Sequence, residues 1–334
     1  MKKSLLLIIF SFLIGFSIFI FIGRWIGWEE ICRAFSVFTG WQGLVIILLT
    51  FIISFLGNLR WQEILKDEGI DVPFFKLFRL YLGGYSIMYL FPSIILAGEF
   101  FRIFGLGKER GLSWKRTSPS VVIERVLEWT ANLSIVFIGL FLFLFKISSW
   151  PKQILFIFGA AFLFFLFVII VFYSKALRKR SIVHAIVKKV KRKELEEDNG
   201  FIEVENKVFD FFQPNSKPLK KGLFLSYLKA IIMQLRVWIL ILFLGKNVGF
   251  IHSFSILGFS YLSSMVPIPT SLGSHEAIQA AAFISIGLTA SMAAAFAMII
   301  RTAEVIISSV GLIYLAKTGF NFMNNKFEKN NENK

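Results

Sequence analysis

The sequence predicts an all-α integral membrane protein with about six spanning helices and two Pro-broken re-entrant hairpins, arranged as an inverted repeat. Three observations predict it. Apolar residues gather in blocks of spanning length, Lys and Arg crowd onto one side of those blocks, and two broken apolar stretches share a spacing of polar residues. Of the 334 residues, 56% are hydrophobic, where a soluble domain carries about 45–50%. About 20 apolar residues in a helix cross the ~30 Å hydrocarbon core.

The blocks run in order. Ser4–Gly23 follows Met-Lys-Lys, as a signal peptide does. The apolar run is long for one, however, and Gly-Arg-Trp-Ile-Gly-Trp follows in place of a small-residue cleavage site. It reads as a retained first helix, and residues 1–40 form that helix and an outer loop. Trp41–Leu59 is the next span. Leu80–Ala97 is interrupted at Pro92 and is expected to return through Phe100–Leu106. Thr117–Phe145 completes a first unit, residues 41–146. Residues 147–221 hold the span Gln153–Tyr173 and a basic loop, in which Lys188–Lys193 is expected on an amphipathic helix against anionic lipid. A second unit, residues 222–316, contains Gly222–Leu244, the stretch Ser253–Ile286 broken at Pro267–Gly273, and Ala290–Ala316. A Lys/Asn-rich tail, 317–334, is expected to be disordered.

Charge orients this arrangement. The formal net charge is +16, yet nucleic acid is not the expected partner. The charges sit beside spans, where they meet anionic headgroups. With both termini in the cytoplasm, 28 Lys and Arg fall on the inner side and five on the outer. Such a bias decides orientation. It holds only if Leu80–Ala97 dips in and returns, because a full crossing would place the basic segment 102–116 outside. Broken backbone at membrane depth is tolerated where it is buried in protein or lines a wet cavity, so two breaks point to a cavity.

The breaks belong to a repeat. Pro92, six residues, Glu99, Gly111-Leu112-Ser113, eleven residues, Arg125, two residues and Glu128 make the first copy. Pro269, six residues, Glu276, Gly287-Leu288-Thr289, eleven residues, Arg301, two residues and Glu304 make the second. The interval from Glu to Gly-Leu differs by one residue. Leu59-Arg60 and Leu235-Arg236 match upstream. The first span of each unit crosses in the opposite sense, so the copies are inverted, a plan that holds substrate near the bilayer midplane in secondary transporters.

Ionisable residues inside a membrane cost a few kcal/mol each and tend to be functional. Arg60, Glu99, Arg102, Arg125 and Glu128 in the first unit, and Arg236, Glu276, Arg301 and Glu304 in the second, are the candidate substrate-binding residues. Arg125/Glu128 and Arg301/Glu304 are three apart, so each pair can share a helix face. Either the pairs are structural ion pairs, or the guanidinium forks hold a phosphate-bearing headgroup. Glu99 and Glu276 can cap the returning half-helices or contact substrate. Arg60 and Trp61 can equally be interface anchors. His275 beside Glu276 lacks the partners of a metal motif. Cys32 is the single cysteine, which excludes an internal disulfide framework and a Cys-based metal site. No cofactor, metal or catalytic residue is expected, and no nucleotide-binding loop is visible.

At these residues the chain resembles the transmembrane region of lysylphosphatidylglycerol synthases, which also occurs as stand-alone membrane proteins of bacteria and archaea. The matching stretches are Leu59-Arg60-Trp61, Phe91-Pro92 through Gly98-Glu99-Phe100-Phe101-Arg102, and Val122-Ile123-Glu124-Arg125-Val126. Val266-Pro267-Ile268-Pro269, Leu272-Gly273-Ser274-His275-Glu276 and Arg301 follow. The resemblance implies flippase-like movement of a phospholipid, an aminoacylated phospholipid or a polyprenyl-linked lipid in the cytoplasmic membrane. The chain ends about 18 residues after its last helix, so aminoacyl transfer, the work of a separate soluble domain, is not expected of it. Two other readings stand beside transport: a scaffold for a separately encoded lipid-modifying enzyme, and an intramembrane lipid-headgroup enzyme.

Overall fold

The computed structural model describes residue 29 and residues 40–90, 96–146, 152–184, 200–251 except 215, 253–265, and 279–332 except 281, 285 and 286. The helix Ser4–Gly23, Cys32, Pro92, Lys188–Lys193, the break Pro267–Gly273, His275 and Glu276 lie outside the described residues.

Among the described residues the architecture is all-helical. Nine principal helices are described: α1 (Trp41–Asp67), α2 (Phe74–Leu90), α3 (Ala97–Arg110), α4 (Trp114–Lys146), α5 (Lys152–Leu177), α6 (Gly200–Phe211), α7 (Lys217–Phe243), α8 (Ser253–Met265) and α9 (Ala290–Glu332). Four stretches among the described residues are long and apolar enough to cross a bilayer: Trp41–Asp67, Gly159–Leu177, Lys217–Phe243 and Ala290–Leu315. They fall on four of the six expected spans. A fifth, Thr117–Phe145, lies within the 33-residue α4. On α5, Phe156, Leu163, Phe164, Phe167 and Ile170 are all exposed. An apolar face of that size turned outward suits lipid, not water.

α1 and α7 form the centre. Both have 27 residues, and they cross antiparallel, since Arg60 meets Ser226 while Arg236 meets Thr50. Each ends in the same stop. Gly69 and Gly245 take left-handed φ values of 73° and 82°, which lets the chain fold back over the last carbonyls. Ile70 N–H then donates to Leu65 O at 2.8 Å, and Lys246 N–H to Ile241 O at 3.3 Å.

The two central helices are related by a separation of 176 residues, the interval from Arg60 to Arg236, and the relation extends to side-chain bonds. Asn58 Nδ2 donates to Phe74 O at 3.4 Å, as Gln234 Nε2 does to Phe250 O at 3.2 Å. Gln62 Nε2 donates to Val72 O, and Trp238 Nε1 to Val248 O, both at 2.8 Å. Gly111 at the end of α3 and Gly287 just before α9 again take positive φ, and Leu112 N–H donates to Gly107 O as Leu288 N–H does to Phe283 O, both at 2.9 Å. Around this pair α4 packs on α8 and α9 packs on α2, which are the same contact in the two copies.

α2 and α3 form an antiparallel helix pair. Gly84 lies against the Arg102 stem and the Gly98 carbonyl, Gly83 against Phe101, and Gly105 against Leu80. With 17 and 14 residues, the two helices reach about 26 and 21 Å, short of the ~30 Å core. α6 lays Val208, Phe209 and Phe211 on Ile123 and Leu127 of α4 and Ala176 of α5.

Glu68, just past the end of α1, has a titration that can be tested. Burial pushes its carboxyl up to about 8 from an ordinary 4.5; Asp67 adds to the rise, and Lys207 and Arg116 oppose it. A folded-state value above the unfolded one means the folded chain holds a proton that the unfolded chain releases. This contribution to stability is therefore full below about pH 4.5, declines as pH rises, and is gone above about pH 8. Glu68→Gln is expected to flatten that decline, read as unfolding temperature in detergent from about pH 5 to about pH 8. An unchanged slope in the variant would remove Glu68 as its source.

Candidate functional site

Five cations and four carboxylates from both units meet between α1, α2, α3, α4, α7 and α9. The crossing of α1 and α7 delivers Arg60, Lys229 and Arg236, while α4 contributes a ladder at Glu124, Arg125 and Glu128. Glu124 is the hub. Its oxygens lie 2.7 Å from Arg60 Nη2 and 2.5 Å from Arg102 Nη1, and all three side chains are 1–4% exposed. Arg125 bridges Glu99, at the first turn of α3, to Glu128 at 3.1 Å. Lys229 reaches Glu128 from α7 at 2.5 Å. In the second unit Arg236 pairs with Glu304 at 3.4 Å.

The pairs line a partly open cavity of about 200 Å3. Cations Arg102, Arg125, Lys229 and Arg236 line it with carboxylates Glu124, Glu128 and Glu304, and its apolar rim is Ile53, Met88 and Met233. Buried charges are tolerable when paired and hydrogen-bonded, and the secondary bonds supply that support. Arg60 Nη1 donates to Ser226 Oγ and Arg236 Nη1 to Thr50 Oγ1, both at 3.0 Å.

The structure brings together Arg60, Glu99, Arg102, Arg125, Glu128, Arg236 and Glu304. Arg60 and Trp61 are 1% and 0% exposed, so they are core residues of the charge cluster and not interface anchors. Trp61 donates its indole N–H to Ser120 Oγ at 3.1 Å. Counting charges by loop places Arg60 and Arg102 among the loop residues; the fold buries both, because each finds Glu124. Glu128 is shared between Arg125 and Lys229, so the Arg125/Glu128 pair is part of a network. Arg301 is not among the cavity-lining residues, and its carbonyl accepts from Tyr89 Oη at 3.4 Å. Glu124 and Lys229 are the members of the charge cluster that sequence reasoning left off the candidate site. The signal was present in both: each is an ionisable residue inside an expected span. Among the described residues no group of three His, Cys, Asp or Glu is placed to hold a metal.

Residues 8–311 match the family described as the lysylphosphatidylglycerol synthase TM region. The chain belongs to this family. It is similar to a UPF0104 membrane protein of Methanocaldococcus jannaschii, 26% identical over 323 residues and 94% of each chain. A UPF0104 membrane protein of Methanothermobacter thermautotrophicus is 26% identical over 280 residues, 77% of this chain and 79% of that one. A third, from Pyrococcus horikoshii, is 21% identical over 321 residues, 90% and 92% of the two chains. No solved structure matches this chain. The family and the apolar helices together make it a multi-pass membrane protein.

Proposed function

We propose that this protein moves lipids with polar headgroups between the leaflets of the cytoplasmic membrane, with both termini in the cytoplasm and without catalysis of its own. The observation that carries the reading is the charge-lined cavity, built from residues of both units. A scaffold has no use for buried cations around a void. Insertion of each charge is costly, and an inert core would be served as well or better by apolar residues. The α2–α3 pair is too short to cross twice and is proposed to be re-entrant. The antiparallel crossing of α1 and α7 supports an inverted repeat across the bilayer. The cavity holds a headgroup but not acyl chains, so the chains stay in lipid during transfer.

Leaflet-resolved transport in proteoliposomes tests this. Arg125→Ala and Arg236→Ala are each expected to lower the rate at least about tenfold, the factor that accompanies loss of about 1.4 kcal/mol of interaction. A wild-type rate no faster than protein-free vesicles would refute the reading.

A further inference from the structure

A second cavity lies apart from the charge cluster, at the corner where α3 ends and α4 begins. It is an open groove of about 340 Å3, walled by Ile103, Phe104 and Lys108 of α3, Leu112 of the corner and Trp114 of α4. α3 separates the two sites. One of its faces buries Glu99, Arg102 and Leu106. Another carries Phe100, Phe104 and Lys108, with Leu96 just before the helix, and the spacing of four residues stacks them along one side. Phe100 and Phe104 are 52% and 61% exposed, and their rings stack at 6.4 Å.

The corner is firmly built. Gly111 takes a left-handed φ of 65°, and a Cβ on Gly107 would stand 2.8 Å from Leu112 O, so the chain turns tightly against α3. A Cβ built on Gly111 itself meets nothing within 4 Å, which is the open space of the groove. Trp114 is held by α6. The Phe201 ring lies 5.2 Å from it, and a Cβ on Gly200 would stand 3.2 Å from Trp114 Cζ2.

The chemistry changes in one direction along the stripe. From Leu96 to Phe104 it is apolar for about 12 Å at ~1.5 Å per residue, most of the ~15 Å that one leaflet contributes to the ~30 Å core. It then reaches Lys108 and Trp114. That is the order met on passing from hydrocarbon to headgroups, where Trp and the ends of long cationic side chains gather. Among the described residues Lys108 is the one charged side chain that lines the groove.

We propose that this groove holds one phospholipid with an anionic headgroup, resident at the edge of the protein and not its cargo. The phosphate sits on Lys108 Nζ, and an acyl chain runs along Phe104, Phe100 and Leu96. A soluble anion could use the lysine but not the apolar stripe that leads to it. A zwitterionic lipid would bring an ammonium to a groove that no carboxylate lines. The proposal needs the chain to be embedded in a membrane and does not need it to translocate lipid.

Native mass spectrometry of the purified full-length protein counts the lipids it retains. With phosphatidylglycerol and phosphatidylcholine supplied together, the wild type is expected to retain phosphatidylglycerol about fivefold more tightly, the factor one basic residue contributes near an anionic surface. Lys108→Gln, a change at an exposed position, is expected to erase that preference. An Arg125→Ala background separates this lipid from any in the central cavity. There the retained lipid is still expected to be phosphatidylglycerol, and to be lost on adding Lys108→Gln. Equal retention of the two lipids by the wild type, or a preference that survives Lys108→Gln, reduces the groove to ordinary annular contact and overturns the proposal. So does a preference that disappears with Arg125→Ala alone, which would place the lipid in the central cavity. Displacement of the lipid by equimolar glycerol phosphate would assign the groove to a soluble anion and overturn it as well. A protein that retains this lipid and moves none between leaflets refutes translocation and leaves the groove assigned.

Discussion

Glu124→Ala is expected to lower stability by about 3–5 kcal/mol, the usual loss when one partner of a buried ion pair is removed. Two cations depend on this carboxylate, Arg60 at 2.7 Å and Arg102 at 2.5 Å. Arg60 would retain Glu128 at 3.5 Å, but Glu128 already serves Arg125 and Lys229. Arg102 would keep only its contacts with the Trp61 and Tyr81 rings. Removing a charge from α4 also eases insertion of that helix by about 2.5–3.5 kcal/mol on translocon scales. That gain does not enter unfolding of inserted, solubilised protein, so the unpaired guanidinium groups decide the sign. Glu63→Gln is the comparison. It breaks the contacts to Lys66 and Lys221, whose side chains are 47% and 59% exposed, and exposed pairs contribute about 0–1 kcal/mol. Melting curves by size-exclusion in detergent separate the cases. If Glu124→Ala melts with Glu63→Gln, Glu124 is not the hub of the cluster.

Much of the fold was readable because it rests on patterns that survive without partners. Span length is such a pattern, and four of the expected spans fall on helices long and apolar enough to cross a bilayer. The repeat was readable only where residue identity is retained: Leu59-Arg60 with Leu235-Arg236, Gly111-Leu112 with Gly287-Leu288, Arg125 with Arg301. Its stronger signature is a repeat of bonds, not of residues. Asn58 and Gln234 make the same bond with different amides, Gln62 and Trp238 with different side-chain classes, and Ser226 and Thr50 receive the two central arginines. A sequence comparison scores those positions as mismatches. The matched bonds keep a separation of 176 residues from 50 to 74. By that register Glu99 answers to position 275 and not to Glu276, and the one-residue slip seen in the sequence falls between Gly245 and Gly287, within the second broken stretch.

The site was half readable for a related reason. Charges within expected spans stand out, so Arg125, Glu128, Arg236 and Glu304 were visible. Arg60 and Arg102 were candidates as well, but they sit near span ends, where a solvated fate is the common one, and contact with Glu124 on a third helix is what shows that they turn inward. Lys229 is legible as a buried charge, but its partner, Glu128, is 101 residues away. Pairing across that distance is a property of packing.

Gly311→Val is expected to destabilise the protein by about 1–3 kcal/mol or more, the range for overpacking, and to slow transport as well. α9 lies on α2 at this residue. A Cβ there would overlap the Leu82 carbonyl and Ser86 Oγ, and neither can move aside. The Ser86 hydroxyl lies 2.8 Å from Leu82 O and 2.6 Å from Ser308 O, so it ties the two backbones together. Small residues let membrane helices approach this closely. Gly139 does the same where α4 meets α8, since a Cβ on it would stand 2.6 Å from Phe254 O. Gly311 also governs the cavity. Glu304 is two turns earlier on the same face of α9, and α2 carries Tyr81, Tyr85 and Met88 of the lining. Spreading α9 from α2 therefore pulls Glu304 from Arg236 and opens one wall. Gly159→Ala gives the opposite sign. Nothing lies within 4 Å of its Cβ position, and the change favours helix by about 0.8–1 kcal/mol. Gly311→Val that melts and transports like Gly159→Ala would show that the α2–α9 contact is not what holds the wall.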